Sequence, residues 1–191
     1  MSGEPLILGT DVAAVRALAA ALGGQLALVP AAGGDDALEA WRRRCAAETP
    51  CKEIVVALWS ESPPRPVPLT DLDAEAWEAR AEAPLLAWNV ALAAAAARCA
   101  DGGAVVGVIE APAALDAAGF APEVGLAAAV RALARSLAAS EGARGVRINT
   151  VTSPDRLRVE REVAGTVRLL LSADAVGLTG VTLAADSGRT W

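Results

Sequence analysis

Six short apolar runs divide this chain, and each is separated from the next by a segment whose apolar residues recur at helical spacing. Pro5 to Gly9, Gln25 to Val29, Glu53 to Trp59, Gly103 to Ile109, Val146 to Val151 and Gly180 to Ala184 read as strands. Helices are expected from Val12 to Leu22, Ala37 to Ala47, Leu72 to Arg98 (with a kink at Pro84), Pro122 to Ser140 and Val159 to Leu171. Strands that alternate with helices must be joined by crossovers, which are right-handed in nearly all known sheets. The expected class is therefore α/β, a doubly wound parallel sheet flanked by helices. The strands show little polar alternation, which suits a sheet covered on both faces.

At 191 residues, the expectation is one domain over the whole chain. A domain of that size buries roughly 70% of its unfolded surface and needs neither disulfide nor metal to fold. The net charge of −6 argues against a nucleic-acid partner. The basic run Arg42-Arg43-Arg44 lies close to Asp35, Asp36 and Glu39 and reads as a solvated helix face. Cys45, Cys51 and Cys99, in a chain without histidine, make no zinc ligand set and read as free thiols of a cytoplasmic protein. No signal-peptide pattern opens the sequence, and the longest uncharged helical stretch, Pro84 to Ala97, is shorter than the ~20 residues of a membrane span. No membrane partner is expected.

The C-terminal third carries a more specific pattern. Arg144-Gly145-Val146-Arg147-Ile148-Asn149-Thr150-Val151 resembles the sixth strand of the short-chain dehydrogenases/reductases. Glu162-Val163-Ala164 through Leu169-Leu170-Leu171-Ser172, Leu178-Thr179-Gly180 and Ala185-Asp186-Ser187-Gly188 resemble that family's last helix and last strand, and Ser136-Leu137-Ala138 resembles the end of its lysine-bearing helix. The likeness is specific from about Ala127 to Gly188 and extends back more loosely to Thr70. It implies a shortened Rossmann-like fold and, in the family's usual form, NAD(P)-dependent oxidoreduction of alcohols and ketones.

Carried over residue by residue, the same resemblance takes the chemistry away. It puts Glu110 at the family's serine, Glu123 at its tyrosine, Ala127 at its lysine and Pro84 at its helical asparagine; the chain has no tyrosine at all. The Pro-Gly after the strand falls at Ser153-Pro154, and the segment that should cover the substrate shrinks to Asp155 to Arg158. The cofactor turn is reduced to Gly9, Thr10 and Asp11, with one glycine where the backbone must approach a pyrophosphate. Asp11 is expected at the cap of the next helix, where a phosphate would meet like charge. Val29-Pro30 offers no acid for a ribose and no arginine for a phosphate, and the asparagine-rich turn is replaced by Trp59-Ser60-Glu61. No cofactor is expected.

Two features remain that could serve a function. Glu110 and Glu123 are expected to face one another across the old active site, where paired carboxylates can run acid–base chemistry; the plainer reading is two solvated residues at a loop rim. Serine and cysteine nucleophiles lack a histidine base. The segment Pro84 to Ala97 carries no charge on any face, and small residues line two helices: Ala87, Ala91 and Ala94 beside Trp88, and Gly125, Ala129, Ala132 and Ser136. With Trp191, these are the expected interface residues, since the two helices correspond to those through which family members dimerise. The leading expectation is a catalytically inactive subunit that pairs with an active short-chain dehydrogenase or ketoreductase, or with itself. The alternatives are a divergent oxidoreductase of ketones or alcohols, a cofactor-free acid–base enzyme using Glu110 and Glu123, and a small-molecule binding module.

Overall fold

The computed structural model describes residues 4–30, 35–111, 118–154 and 159–188. Six strands form one all-parallel sheet: β1 (Leu6–Gly9), β2 (Gln25–Leu28), β3 (Cys51–Ala57), β4 (Cys99–Glu110), β5 (Arg147–Ser153) and β6 (Thr182–Ala184). Their order is β2-β1-β3-β4-β5-β6, so the direction of winding reverses between β1 and β3. Helices α1 (Ala13–Leu22) and α6 (Ala164–Leu171) cover one face, and α2 (Asp35–Ala47), α4 (Ala83–Arg98) and α5 (Ala121–Ser140) cover the other.

The continuous apolar strands follow from this double cover. Ile7, Val55, Val106 and Val151 pack with Val15, Leu18, Val167 and Leu170 on the α1/α6 face. Their neighbours Leu8, Ile54, Val56, Val105 and Ile148 pack with Trp41, Trp88, Leu92 and Val130 on the other. Successive side chains point to opposite faces, and both faces are dry, so both must be apolar. The edge strand β2 departs from this rule, with Gln25 and Leu28 exposed.

The last crossover breaks the expected handedness. The units β4-α5-β5 and β5-α6-β6 step across the sheet in the same direction, but α5 and α6 lie on opposite faces, so the two units have opposite hands. Covering Val106, Val108 and Val151 requires a helix on the α1 side, and α6 is the one that supplies it.

Two local expectations are also corrected. The segment from Leu72 to Arg98 is not one kinked helix: α3 (Ala74–Trp77) passes through a π-helical turn, Glu78–Glu82, into α4. Pro84 falls in the first turn of α4, where a missing N–H is tolerated. Asp11 does not cap α1. The N-cap is Val12, with no side-chain cap, and the Asp11 carboxylate turns outward to Arg16 at 2.5 Å.

At the amino end of the sheet, arginines collect the carbonyls that helix C-termini leave unsatisfied. Arg147 donates from Nη1 to the carbonyls of Leu170 (2.7 Å) and Ala175 (3.1 Å), and from Nη2 to those of Leu171 (3.2 Å) and Ser172 (3.1 Å). Arg144 donates to the carbonyls of Ala96 and Cys99 at the end of α4. The buried Asn149 donates to the Leu178 carbonyl (2.8 Å) and accepts from the Val181 N–H (3.1 Å), fastening the approach to β6. The run Arg144 to Asn149 is thus structural.

On the surface, Glu39 pairs with Arg42 (2.6 Å) and Arg43 (3.2 Å). The hydrogen bond from Arg42 above all holds its carboxyl down at about 2, which agrees with a solvated face for the basic run. No helix among the described residues is long and apolar enough to cross a membrane.

Candidate functional site

In open α/β sheets, ligands bind beyond the carboxyl ends of the strands at the point where winding reverses. A cavity of about 640 Å³ opens at that point here. It runs from Thr10, Val29 and Pro30 beside β1 and β2 to Glu110 and Glu123 beside β4 and α5. Its walls are mostly apolar, including Trp88, Ile109, Phe120 and Leu126, and the proline-rich segment 63–67 forms one side. That segment is pinned by the Val67 N–H, which donates to the Gly119 carbonyl (2.8 Å).

Glu110 closes β4, opposite Ser153 of β5, and Glu123 lies in the first turn of α5. Both line the cavity, as expected, but Glu123 is already engaged. Arg80 grips it with two bonds, Nε to Oε1 at 2.7 Å and Nη2 to Oε2 at 2.9 Å, and Nη2 also donates to the Arg65 carbonyl at 3.1 Å. Both side chains are largely withdrawn from water, 19% and 12% exposed. An open pair of carboxylates able to share a proton is therefore not what the fold assembles; an arginine–carboxylate fork stands there instead.

Sequence reasoning missed Arg80. It lies among Glu75, Glu78 and Glu82 and reads as a surface charge, and its partner is 43 residues away. The π-helical turn that carries it was the missing signal, since such turns concentrate at functional sites but leave no periodicity to read. Ala127, which the resemblance sets against the family's lysine, is buried one turn beyond Glu123, and its carbonyl accepts from Arg131 Nε at 3.1 Å. Pro84, which the resemblance sets against the family's helical asparagine, lines the cavity. The segment Asp155 to Arg158 lies outside the described residues.

At the other end of the cavity, the turns after β1 and β3 are tied together. Thr10 Oγ1 donates to the Trp59 carbonyl (2.7 Å) and accepts from the Trp59 N–H (3.0 Å). The Trp59 indole is buried, and its N–H donates to the Val108 carbonyl (2.9 Å). A Cβ at Gly9 would come within 2.6 Å of Val15 Cγ1, so glycine there lets α1 pack close to the strands.

No protein-family description matches this chain, and no curated protein does. Solved structures do. A short-chain dehydrogenase/reductase from Serratia marcescens is similar over 100% of this chain and 99% of its own, at 19% identity and a TM-score of 0.77. The chain has the fold of the short-chain dehydrogenases/reductases. The enoyl-[acyl-carrier-protein] reductase (NADH) from Aquifex aeolicus has a TM-score of 0.74 at 17% identity, covering 98% of this chain and 97% of that one. A blue fluorescent protein from a metagenomic library, in complex with NADPH, has 0.67 at 18%, covering 98% of each.

These neighbours overturn the expectation that no cofactor is involved, because the short-chain dehydrogenase/reductase fold is one that carries a nucleotide. The structure supplies the physical reason for the error. Asp11 is turned away from the α1 N-terminus and neutralised by Arg16, so the like-charge obstacle is displaced. At this end Thr10, in the turn that leads to the uncapped first turn of α1, would lie nearest the phosphates of a dinucleotide, and Val29 and Pro30 would flank its adenosine side. Such a group, when bound, supplies hydride transfer.

The expected interface residues separate into two sets. Trp88, Ala91 and Ala94 are buried inside the chain's own core, and Ala87 is half-buried. The long helix lacks a charged face because α2 and α5 flank it and the sheet lies beneath it. On α5, Gly125, Ala132 and Ser136 are exposed, and Ala129 is half-buried. Trp191 lies outside the described residues.

Proposed function

We propose that this chain is a catalytically silent subunit that pairs with an active short-chain dehydrogenase or ketoreductase. The observation that carries the reading is the Arg80–Glu123 fork, at the residue that the resemblance sets against the family's proton donor, with Ala127 set against its lysine. A carboxylate with both oxygens bonded to a guanidinium offers no proton to a carbonyl oxygen. The exposed small residues Gly125, Ala132 and Ser136 give α5 a face that a partner helix can approach closely, and Leu86 on α4 and Val124 on α5 are exposed apolar residues. Co-expression with an active short-chain dehydrogenase from the same genome, followed by size exclusion, is expected to give one co-eluting species that Ala132→Arg splits. Two separate peaks for the unmodified pair would sink the idea.

The second reading is a divergent oxidoreductase of ketones or alcohols. It is favoured by Thr10, in the turn between β1 and α1, lining the same cavity as Glu110, and by the NADPH complex of a fold neighbour. Glu110 is then the acid nearest the reacting end. Saturable quenching of tryptophan fluorescence by NADPH, with oxidation of the cofactor by a ketone panel, would select this reading over the first.

A further inference from the structure

We propose that Cys51 is an oxidation site and Cys99 the thiol that resolves it, so that a hydroperoxide closes a disulfide between β3 and β4. Both residues lie at the amino end of the sheet, away from the cavity, so the pairing and oxidoreductase readings neither need the bridge nor exclude it.

Cys51 and Cys99 each open a strand, and they are register partners in the parallel ladder of β3 and β4. Neighbouring strands lie about 4.8 Å apart, and a disulfide spans Cα atoms roughly 4.4–6.8 Å apart. Both side chains belong to the face that α2 and α4 cover, with Cys99 inside that core and Cys51 packed against it. The register slips just after the pair, where Glu53 meets Ala104. The resulting bulge brings Gly103 back over Cys99. A Cβ there would stand 2.6 Å from Cys99 Sγ and 2.6 Å from the Lys52 carbonyl oxygen. The missing side chain leaves the sulfur room beside the residue that follows Cys51. Each thiol donates at 3.6 Å to a carbonyl close in sequence, Cys51 to Thr49 and Cys99 to Ala100. A thiol is a weak donor, so turning either sulfur toward the other gives up little.

The third thiol is placed differently. Cys45 lies on α2, and its Sγ accepts from Arg98 Nη1 at 3.8 Å. The same guanidinium bonds Glu48 at 2.6 Å and, through Nε, the Thr49 carbonyl at 3.2 Å. Arg98 therefore holds Cys45 to its own side chain, whereas Cys51 has Cys99 across the ladder. Among the described residues the thiols do not converge into a metal-ligand group.

Access sets the order of events. Cys99 is 1% exposed and Cys45 5%, and burial pushes both thiols up, Cys99 to about 11. Cys51 is half-buried, so the oxidant meets it first. Its sulfur takes one oxygen from the hydroperoxide and becomes a sulfenic acid, and the remainder leaves as an alcohol, or as water from hydrogen peroxide. Cys99 then attacks that sulfur. The S–S bond forms, the S–O bond breaks, and the hydroxyl leaves as water with the proton of Cys99. Two thiols give up two electrons and two protons, and the hydroperoxide is reduced. The raised Cys99 thiol is a slow attacker in general, but its position across the ladder makes this step intramolecular. A bridge of this kind, formed and reduced in turn, is the usual form of a disulfide inside cells.

The test treats the reduced full chain with hydrogen peroxide, denatures it, alkylates the remaining thiols with iodoacetamide and maps the peptides without reductant. A glutamate-specific protease cuts at Glu48 and so separates Cys45 from Cys51. The expected product is a single chain that has lost two of its three alkylatable thiols, with Cys51 bridged to Cys99 and Cys45 alkylated. Dithiothreitol is expected to restore all three. Cys45→Ser is expected to form the same bridge, and Cys51→Ser to leave Cys99 alkylatable. Cys99→Ala is expected to stop at the sulfenic acid, which dimedone traps on Cys51. A bridge that includes Cys45, or one that joins two chains, overturns the proposal. So does an oxidised Cys51 beside a Cys99 that still alkylates, or no bridge in excess peroxide. The map of the unmodified chain decides even if a variant fails to fold.

Discussion

The two ends of this sheet are held by different chemistry. At the amino end, Arg144 and Arg147 reach mostly main-chain carbonyls. At the carboxyl end, Arg80 reaches mainly another side chain, Glu123. Parallel topology sets up the contrast, since every helix points its unsatisfied carbonyls at one end and its N–H groups at the other. The consequence is energetic. A side-chain pair can be exchanged as a unit for something else, whereas a main-chain acceptor cannot be deleted. Replacing an amino-end arginine therefore strands main-chain carbonyls, whereas the carboxyl-end pair can be replaced as a unit.

Four measurements bear on that contrast. The largest effect is expected for Arg147→Met, which strips four carbonyl contacts from the end of α6; chemical denaturation should show a loss of about 3 kcal/mol. Arg80→Met leaves a sheltered carboxylate unpaired and is expected to cost about 2 kcal/mol, but the double change Arg80→Met with Glu123→Met should recover most of that. A double variant no better than the single one would erase the distinction between the two ends.

The third measurement is a pH profile. Burial pushes the Cys99 thiol up to about 11 from an ordinary value of 9. The folded chain therefore holds a proton that the unfolded chain releases. The associated stability is complete below pH 9 and disappears as pH rises through 11. Denaturation midpoints should fall across that window, and Cys99→Ala should flatten the fall. The smallest effect belongs to Glu39→Gln on the exposed face of α2. Two surface ion pairs are lost there, and the denaturation midpoint should stay close to that of the unmodified protein.

Much of the framework was legible because its signals are local. Each strand is a short apolar run with both faces dry, and Gly23 ends α1 in the left-handed conformation that its place after the apolar pattern suggests. Residues whose roles depend on distant partners were not legible. The hand of the last crossover is decided by which face of the sheet lacks cover, a fact that no window of sequence contains. Arg80 is among glutamates in sequence and meets its partner only through the fold. Asp11 shows that even local signals compete: a cap and an ion pair with Arg16 were both within reach, and the ion pair won. The uncharged stretch Pro84 to Ala97 of α4 reads in the sequence as a surface awaiting a partner, yet α2 and α5 of the same chain pack against it.

The two edge strands have a bearing on solubility. An open sheet offers its outermost main-chain groups to any passing strand, and a chain that is 54% hydrophobic is vulnerable to such templating. Here the edges are β2, four residues long, and β6, three residues long. Neither is long enough to seed an extended ladder with another molecule. Self-association by sheet growth is thereby discouraged, and contacts between molecules are left to the helical surfaces.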